Sequence, residues 1–180
     1  MIIKVLSENT AASDEFGCEH GLSLYVETEK HRLLFDTGAS GLFAENAARL
    51  GVELSAVDTA VLSHGHYDHG GGLKTFLGKN NRAKVYVREQ AFEPHYADRP
   101  DGNKAYIGLD TTLLPNERFV FCGQHQKIDE ELELFSAVRE VMPAPSGNAE
   151  LYRKAGEDFL PDDFSHEHNL VIWQNGRALL

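Results

Sequence analysis

The chain has 180 residues, 42% of them hydrophobic and 25% charged, values ordinary for a globular domain with a sizeable core. That excludes a disordered chain, a collagen and a coiled coil. Seventeen Lys and Arg against 28 Asp and Glu leave a net charge of −11, which argues against nucleic acid and anionic membranes as partners.

The first third reads as strands. Residues 2–6 are a β-branched start. Leu22-Ser23-Leu24-Tyr25-Val26 alternates with period 2, so one face should be buried, and a polar turn over 27–31 leads to a strand over 32–35 that should pair back antiparallel. Asp36-Thr37-Gly38-Ala39-Ser40-Gly41 breaks the pattern. Ser40 is placed to cap a helix with apolar positions Leu42, Phe43, Ala47 and Leu50, which Gly51 ends. Residues 57–62 form a short apolar strand that runs into Ser63-His64-Gly65-His66-Tyr67-Asp68-His69-Gly70-Gly71-Gly72. A short helix over 73–77 and a strand over 83–87 follow. This order suggests an α/β layer with functional residues at a strand's C-terminal end.

Residues 94–117 hold three of the six prolines and read as a long irregular loop of the sort that covers a site. Strands are predicted over 118–122 and 132–141. Residues 169–174 form another, Asn175-Gly176 is a strong hairpin signal, and residues 177–180 begin the returning strand. The sequence stops there on two leucines, whereas domain ends are usually polar, so a chain cut inside a larger fold is expected. Cys18 and Cys122 read as free thiols of a reducing cytosol. With no secretory signal and no stretch of ~20 apolar residues, the expected location is cytoplasmic.

Four metal-ligand candidates fall within six residues: His64, His66, Asp68 and His69. In an extended loop His64 and His66, two apart, point the same way and can converge on one ion, while Asp68 and His69 on the following turn reach a second. Imidazole with carboxylate favours zinc, with iron or manganese as alternatives. Gly65 and the glycines at 70–72 allow close backbone approach. The other histidines read differently. His166 and His168 suit the polar lead-in to a strand, and His31, His95 and His125 look isolated and exposed. Glu130, Glu131 and Glu133 read as a solvated face. No Walker-type phosphate loop, G-x-S-x-G elbow or Cys/His nucleophile pattern is present in the sequence.

The stretch Ser63-His64-Gly65-His66-Tyr67-Asp68-His69-Gly70-Gly71 resembles the H-x-H-x-D-H signature of the metallo-β-lactamase superfamily, and Phe35-Asp36-Thr37-Gly38 matches its upstream D-T-G element. With Glu19-His20-Gly21-Leu22-Ser23, these segments look most like the subgroup named for dihydropterin–ribofuranosylaminobenzene-phosphate synthase. The likeness runs from residue 1 to about 110 and again from about 161 to 180. It implies an α+β fold, a four-layer αββα sandwich, present as one domain over residues 1–180 that lacks its C-terminal part. His64 and His66 would serve one metal site and Asp68 and His69 a second, with up to two zinc ions bound. Asp68 would also be catalytic, Asp36 would hold the loop from behind the ligands, and His20 would lie near the substrate. Family members continue past the strand that here ends at Leu180, with a further histidine ligand soon after it.

The implied activity is that of a metal-dependent hydrolase-like enzyme, in which a metal-activated water attacks a small-molecule substrate. Within the resembling subgroup it is instead group transfer on a phosphorylated pterin precursor. The alternative is a non-catalytic metal-binding fragment, or a self-associating module that forms a homo-oligomer through the exposed C-terminal edge.

Overall fold

The computed structural model describes residues 1–136, 138 and 145–180. Three strands, β1 (Ile2–Ser7), β2 (Ser23–Glu27) and β3 (Arg32–Phe35), form an antiparallel meander, as the period-2 pattern and the polar turn require. Two more strands, β4 (Thr59–Val61) and β5 (Lys84–Arg88), add parallel to β3. Between them come helices α1 (Leu42–Arg49), α2 (Tyr67–Gly70) and α3 (Leu73–Lys79).

Residues 94–117 are not the irregular loop expected. They contain β6 (His95–Asp98) and β7 (Lys104–Tyr106), an antiparallel hairpin that turns at Gly102 with φ +80°. Strands this short give little periodic signal, and prolines flank them. The hairpin extends into a four-stranded sheet with β11 (Leu151–Ala155) and β12 (Asp158–Pro161), in the order β12-β11-β6-β7. The first sheet closes with β8 (Phe119–Cys122), giving the order β1-β2-β3-β4-β5-β8. A further sheet, β14-β13-β10-β9, is made by β9 (His125–Lys127), β10 (Leu132–Phe135), β13 (Asn169–Gln174) and β14 (Arg177–Leu179). Of the strand expected over 132–141, residues 137 and 139–141 lie outside the described residues. The hairpin at Asn175-Gly176 forms as expected, with φ of 52° and 71°.

Alternate side chains of the first sheet go to opposite cores, as strand geometry demands. Leu34, Ala60, Val85 and Val87 pack with Phe43, Ala47, Leu73 and Phe76 of α1 and α3. Leu33, Val61 and Cys122 pack against Leu132, Leu134, Leu170 and Ile172 of β10 and β13. The first sheet is therefore covered on both faces, by helices and by a second sheet. Among the described residues no helix contributes to the core on the second sheet's side. Gly41, not Ser40, is the residue that caps α1, and no side chain bonds the cap; Ser40 stands one residue further out, where its Oγ accepts from the Leu42 N–H at 3.1 Å. Gly51 ends the helix with φ +66°, as the sequence suggested. No helix among the described residues is long and apolar enough to cross a membrane. Cys18 is exposed, Cys122 is buried, and both are free.

Candidate metal centre

The site forms where β3 and β4 end side by side. Asp36 follows β3 with φ 59°, an uncommon conformation for a residue with a side chain, and it is held there by its bonds. Its Oδ1 accepts from the Ser63 N–H at 2.6 Å, and its Oδ2 accepts from Ser63 Oγ and His69 Nδ1, each at 2.7 Å. Ser63 Oγ lies 2.9 Å from His64 Nδ1. The hydroxyl proton is committed to Asp36, so this oxygen accepts from His64. Both rings therefore keep their lone pair on Nε2. Nε2 of His69 faces Asp68 Oδ2 at 3.6 Å, and one ligand atom each of His64, Asp68 and His69 lie within 4.8 Å of one another. Burial holds His64 well below the usual imidazole range, with the neighbouring imidazoles adding to the effect. For His69 burial acts the same way, but Asp36 and Asp68 outweigh it and raise the ring's pKa.

A second group adjoins the first. His66, His95, Asp162 and His166 bring their ligand atoms within 4.8 Å. Asp162 Oδ2 is 3.2 Å from His66 Nε2 and 3.4 Å from His95 Nδ1, and both its oxygens are 3.2 Å from His166 Nε2. Burial pushes Asp162 up, yet hydrogen bonds from the imidazoles prevail and hold its carboxyl far below the usual range. His168, also buried, is pushed down to about 4 by desolvation.

The residues singled out in the sequence come together with one regrouping. His64 stands with Asp68 and His69, while the Nε2 of His66, read from the motif as the partner of His64 on one ion, turns to the second group. The two rings still touch, with centroids 4.7 Å apart. Asp36 sits behind the loop, bonded to Ser63 and His69. His20 has its side chain 72% exposed, with Nε2 3.4 Å from Asp68 Oδ2.

Several sequence expectations are corrected. His95 is buried, not exposed, because it opens a strand that points inward. His31 is largely buried between Asp58 and Asp129. His166 and His168 lead into β13 but are buried. Glu131 is buried and accepts from Thr28 Oγ1 at 2.6 Å, while His125 is exposed as expected. His95, Asp162 and His166 were missed as site residues. The spacing of His166 and His168 beside Asp162 was the available signal, and only the sheet β12-β11-β6-β7 makes it converge on His66. A cavity of about 540 Å³ opens beside the cluster, with Leu24, Phe35 and Leu170 as apolar walls and His64 and His69 at one end.

The sequence profile of the metallo-beta-lactamase superfamily matches residues 16–148. The chain belongs to this superfamily. Its fold is similar to that of a metal-dependent hydrolase of the beta-lactamase superfamily, with TM-score 0.76 and 28% identity over 94% of this chain and 60% of that one. It is 36% identical over 136 residues to an uncharacterized protein of Methanocaldococcus jannaschii, covering 73% of this chain and 51% of that protein. It is 32% identical over 109 residues to 7,8-dihydropterin-6-methyl-4-(beta-D-ribofuranosyl)-aminobenzene-5'-phosphate synthase of the same organism, covering 55% of this chain and 36% of the synthase. This metallo-β-lactamase-like chain thus spans about half or less of the curated relatives named here.

Proposed function

We propose that the chain is one domain carrying a metal-dependent hydrolytic centre on His64, Asp68 and His69, with His66 beside them. The supporting observation is the approach of His69 Nε2 to Asp68 Oδ2 at 3.6 Å, with the His64 ring centroid 4.1 Å from that of His69. Lone pairs converge there, and only a proton or a cation relieves their repulsion. The donor set of imidazoles and a carboxylate fits zinc, with iron and manganese as alternatives. Such an ion, when bound, supplies Lewis acidity and a water whose pKa falls towards ~7. The protein's own groups do the remainder. Asp36 and Ser63 lock the tautomers of His69 and His64. With an ion held there, Asp68 would orient the attacking water and accept its proton, and His20, with Nε2 3.4 Å from Asp68 Oδ2 and open to solvent, would relay it. The apolar cavity walls bind a small organic substrate and exclude bulk water.

A second reading, group transfer on a phosphorylated pterin precursor, is favoured by the 32% identity to the synthase. Metal analysis with parallel assays of ester and lactone hydrolysis and of transfer tests both. Metal-dependent hydrolysis lost in His64→Ala supports the first reading, and transfer without hydrolysis supports the second. Protein that carries no metal and takes up none on adding Zn²⁺ overturns both.

A further inference from the structure

We propose that Asp162 is the positioning carboxylate of this centre: it takes the Nε2 proton of His66 and so leaves Nδ1 as the nitrogen able to bind an ion. The use of that tautomer rests on the metal reading above; the assignment of the proton rests on hydrogen bonds alone. Taken as a set of ligand atoms, His66, His95, Asp162 and His166 look like a cage for an ion of their own. One hydrogen bond argues against it. The Gly65 N–H donates to His166 Nδ1 at 2.9 Å, which uses the lone pair of that nitrogen. A neutral imidazole has one lone pair and one N–H, so the His166 proton sits on Nε2, 3.2 Å from both Asp162 oxygens. Ligation through that nitrogen would require an imidazolate. Asp162 therefore accepts from His166 and is not its fellow ligand.

Asp162 Oδ1 also accepts from the Phe164 N–H at 2.9 Å, while Oδ2 faces His66 Nε2 at 3.2 Å. An acceptor there makes His66 the donor, and its lone pair falls on Nδ1. His95 completes the enclosure. Its ring, only 1% exposed, packs 4.1 Å from that of His166, and neither of its nitrogens has a hydrogen-bond partner of good geometry. Each motif imidazole thus has its own outer partner: Ser63 for His64, Asp36 for His69 and Asp162 for His66. Such partners fix ring orientation and tautomer, and their loss typically weakens metal binding by about 10–100-fold.

Long-range ¹H–¹⁵N spectra of ¹⁵N-histidine-labelled, metal-free protein read each tautomer directly. The expected result is Nε2 protonation on both His66 and His166. Asp162→Asn, whose amide can turn an N–H towards His66, should move that ring to the Nδ1-protonated form and weaken Co²⁺ binding by about 10–100-fold with a changed visible spectrum. Asp162→Glu should recover most of the affinity. If the Asn variant fails to fold, the wild-type spectrum and the Glu variant still decide. An Nδ1 proton on wild-type His66 overturns the proposal, as does an Asp162→Asn protein that binds Co²⁺ within about twofold of wild type. An extra equivalent of Co²⁺ lost in His95→Gln alone also overturns it, since the cage would then hold an ion. Wild-type protein that takes up neither Co²⁺ nor Zn²⁺ overturns the metal reading, and the tautomer spectrum shows separately whether the proton assignment failed too.

Discussion

The two sides of the imidazole cluster are built in opposite ways. His64, Asp68 and His69 come from one loop and the turn after it, backed by Asp36 on the neighbouring strand end. The other side joins His66 to Asp162, 96 residues away, and adds His95 from β6 and His166 from the segment between β12 and β13. The first is a local device whose shape is set by short-range hydrogen bonds. The second exists only if β6 and β11 dock, so its geometry is a readout of tertiary structure. Separate substitutions should therefore disturb one side and spare the other.

The largest effect is expected where the two sides meet. A Cβ at Gly65 would stand 2.3 Å from the Ala91 carbonyl oxygen, and the Gly65 N–H also holds His166. Gly65→Ala must push backbone against backbone, so a loss of about 3 kcal/mol in denaturant unfolding is expected, at the upper end of overpacking costs. A variant as stable as wild type would show that the loop yields freely and that the two sides are not coupled through it.

Asp68→Ala tests the local side alone. Among the described residues the carboxylate pairs only with His20 and His69, so apo stability should stay within about 0.5 kcal/mol of wild type. Metal affinity should fall by more than about 100-fold, because a ligand is worth more than the outer partner of one. Calorimetric Zn²⁺ titration reads the affinity, and an unchanged constant would remove Asp68 from the donor set.

Lys104→Ala tests the distant side. Lys104 Nζ pairs with Asp98 at 2.6 Å and lies 3.0 Å from the centroid of the Tyr152 ring, tying β6, β7 and β11 together. Its loss should loosen the hold of β7 and β11 on β6 and lower the urea midpoint only slightly. It should shift the His95 and His166 resonances while leaving those of His64 and His69 in place. Equal shifts on both sides would mean that the cluster moves as one body.

The same contrast explains what could be read from the sequence. Three donors and the Asp36 element lie in short segments whose spacing is itself the signal, so the loop, the helices beside it and the first meander were legible. His95 was not, because burial of a lone histidine on a four-residue strand follows from the pairing of β6 with β11, which carries no local pattern. Asp162 and His166 were visible as a polar cluster. Their convergence on His66 needs the sheet that puts residue 162 at the end of β12. The regrouping of His66 has the same origin. Alternation along the loop predicts which side a residue points to, and nothing in it foretells an acceptor from 96 residues away.

The smallest expected effect belongs to an imidazole at the opposite end of β4. His31 Nδ1 lies 2.9 Å from Asp58 Oδ1, just before β4, and its Nε2 lies 2.6 Å from Asp129 Oδ2, on the turn before β10. It clasps the first sheet to the second, far in sequence from any candidate ligand. Burial opposes its charge, but the two carboxylates outweigh that and raise its pKa above the ordinary 6.5. Asp129 is lowered in turn: burial acts to raise it, but hydrogen bonds from His31 and from backbone N–H groups prevail, so it stays ionised in mild acid. Because folding raises the His31 pKa, its contribution is complete below pH 6.5 and fades as pH climbs through the raised folded value. With both acids partly open to solvent, about 0.5–1 kcal/mol is expected. Urea unfolding of wild type and His31→Gln should therefore differ by that amount at pH 5.5 and by less at pH 8.5. Taking the difference between the two proteins cancels the titration of the imidazole cluster, which both share. A gap that is equal at the two pH values, or larger at pH 8.5, would show that His31 holds the sheets together as a neutral ring and that its charge does nothing.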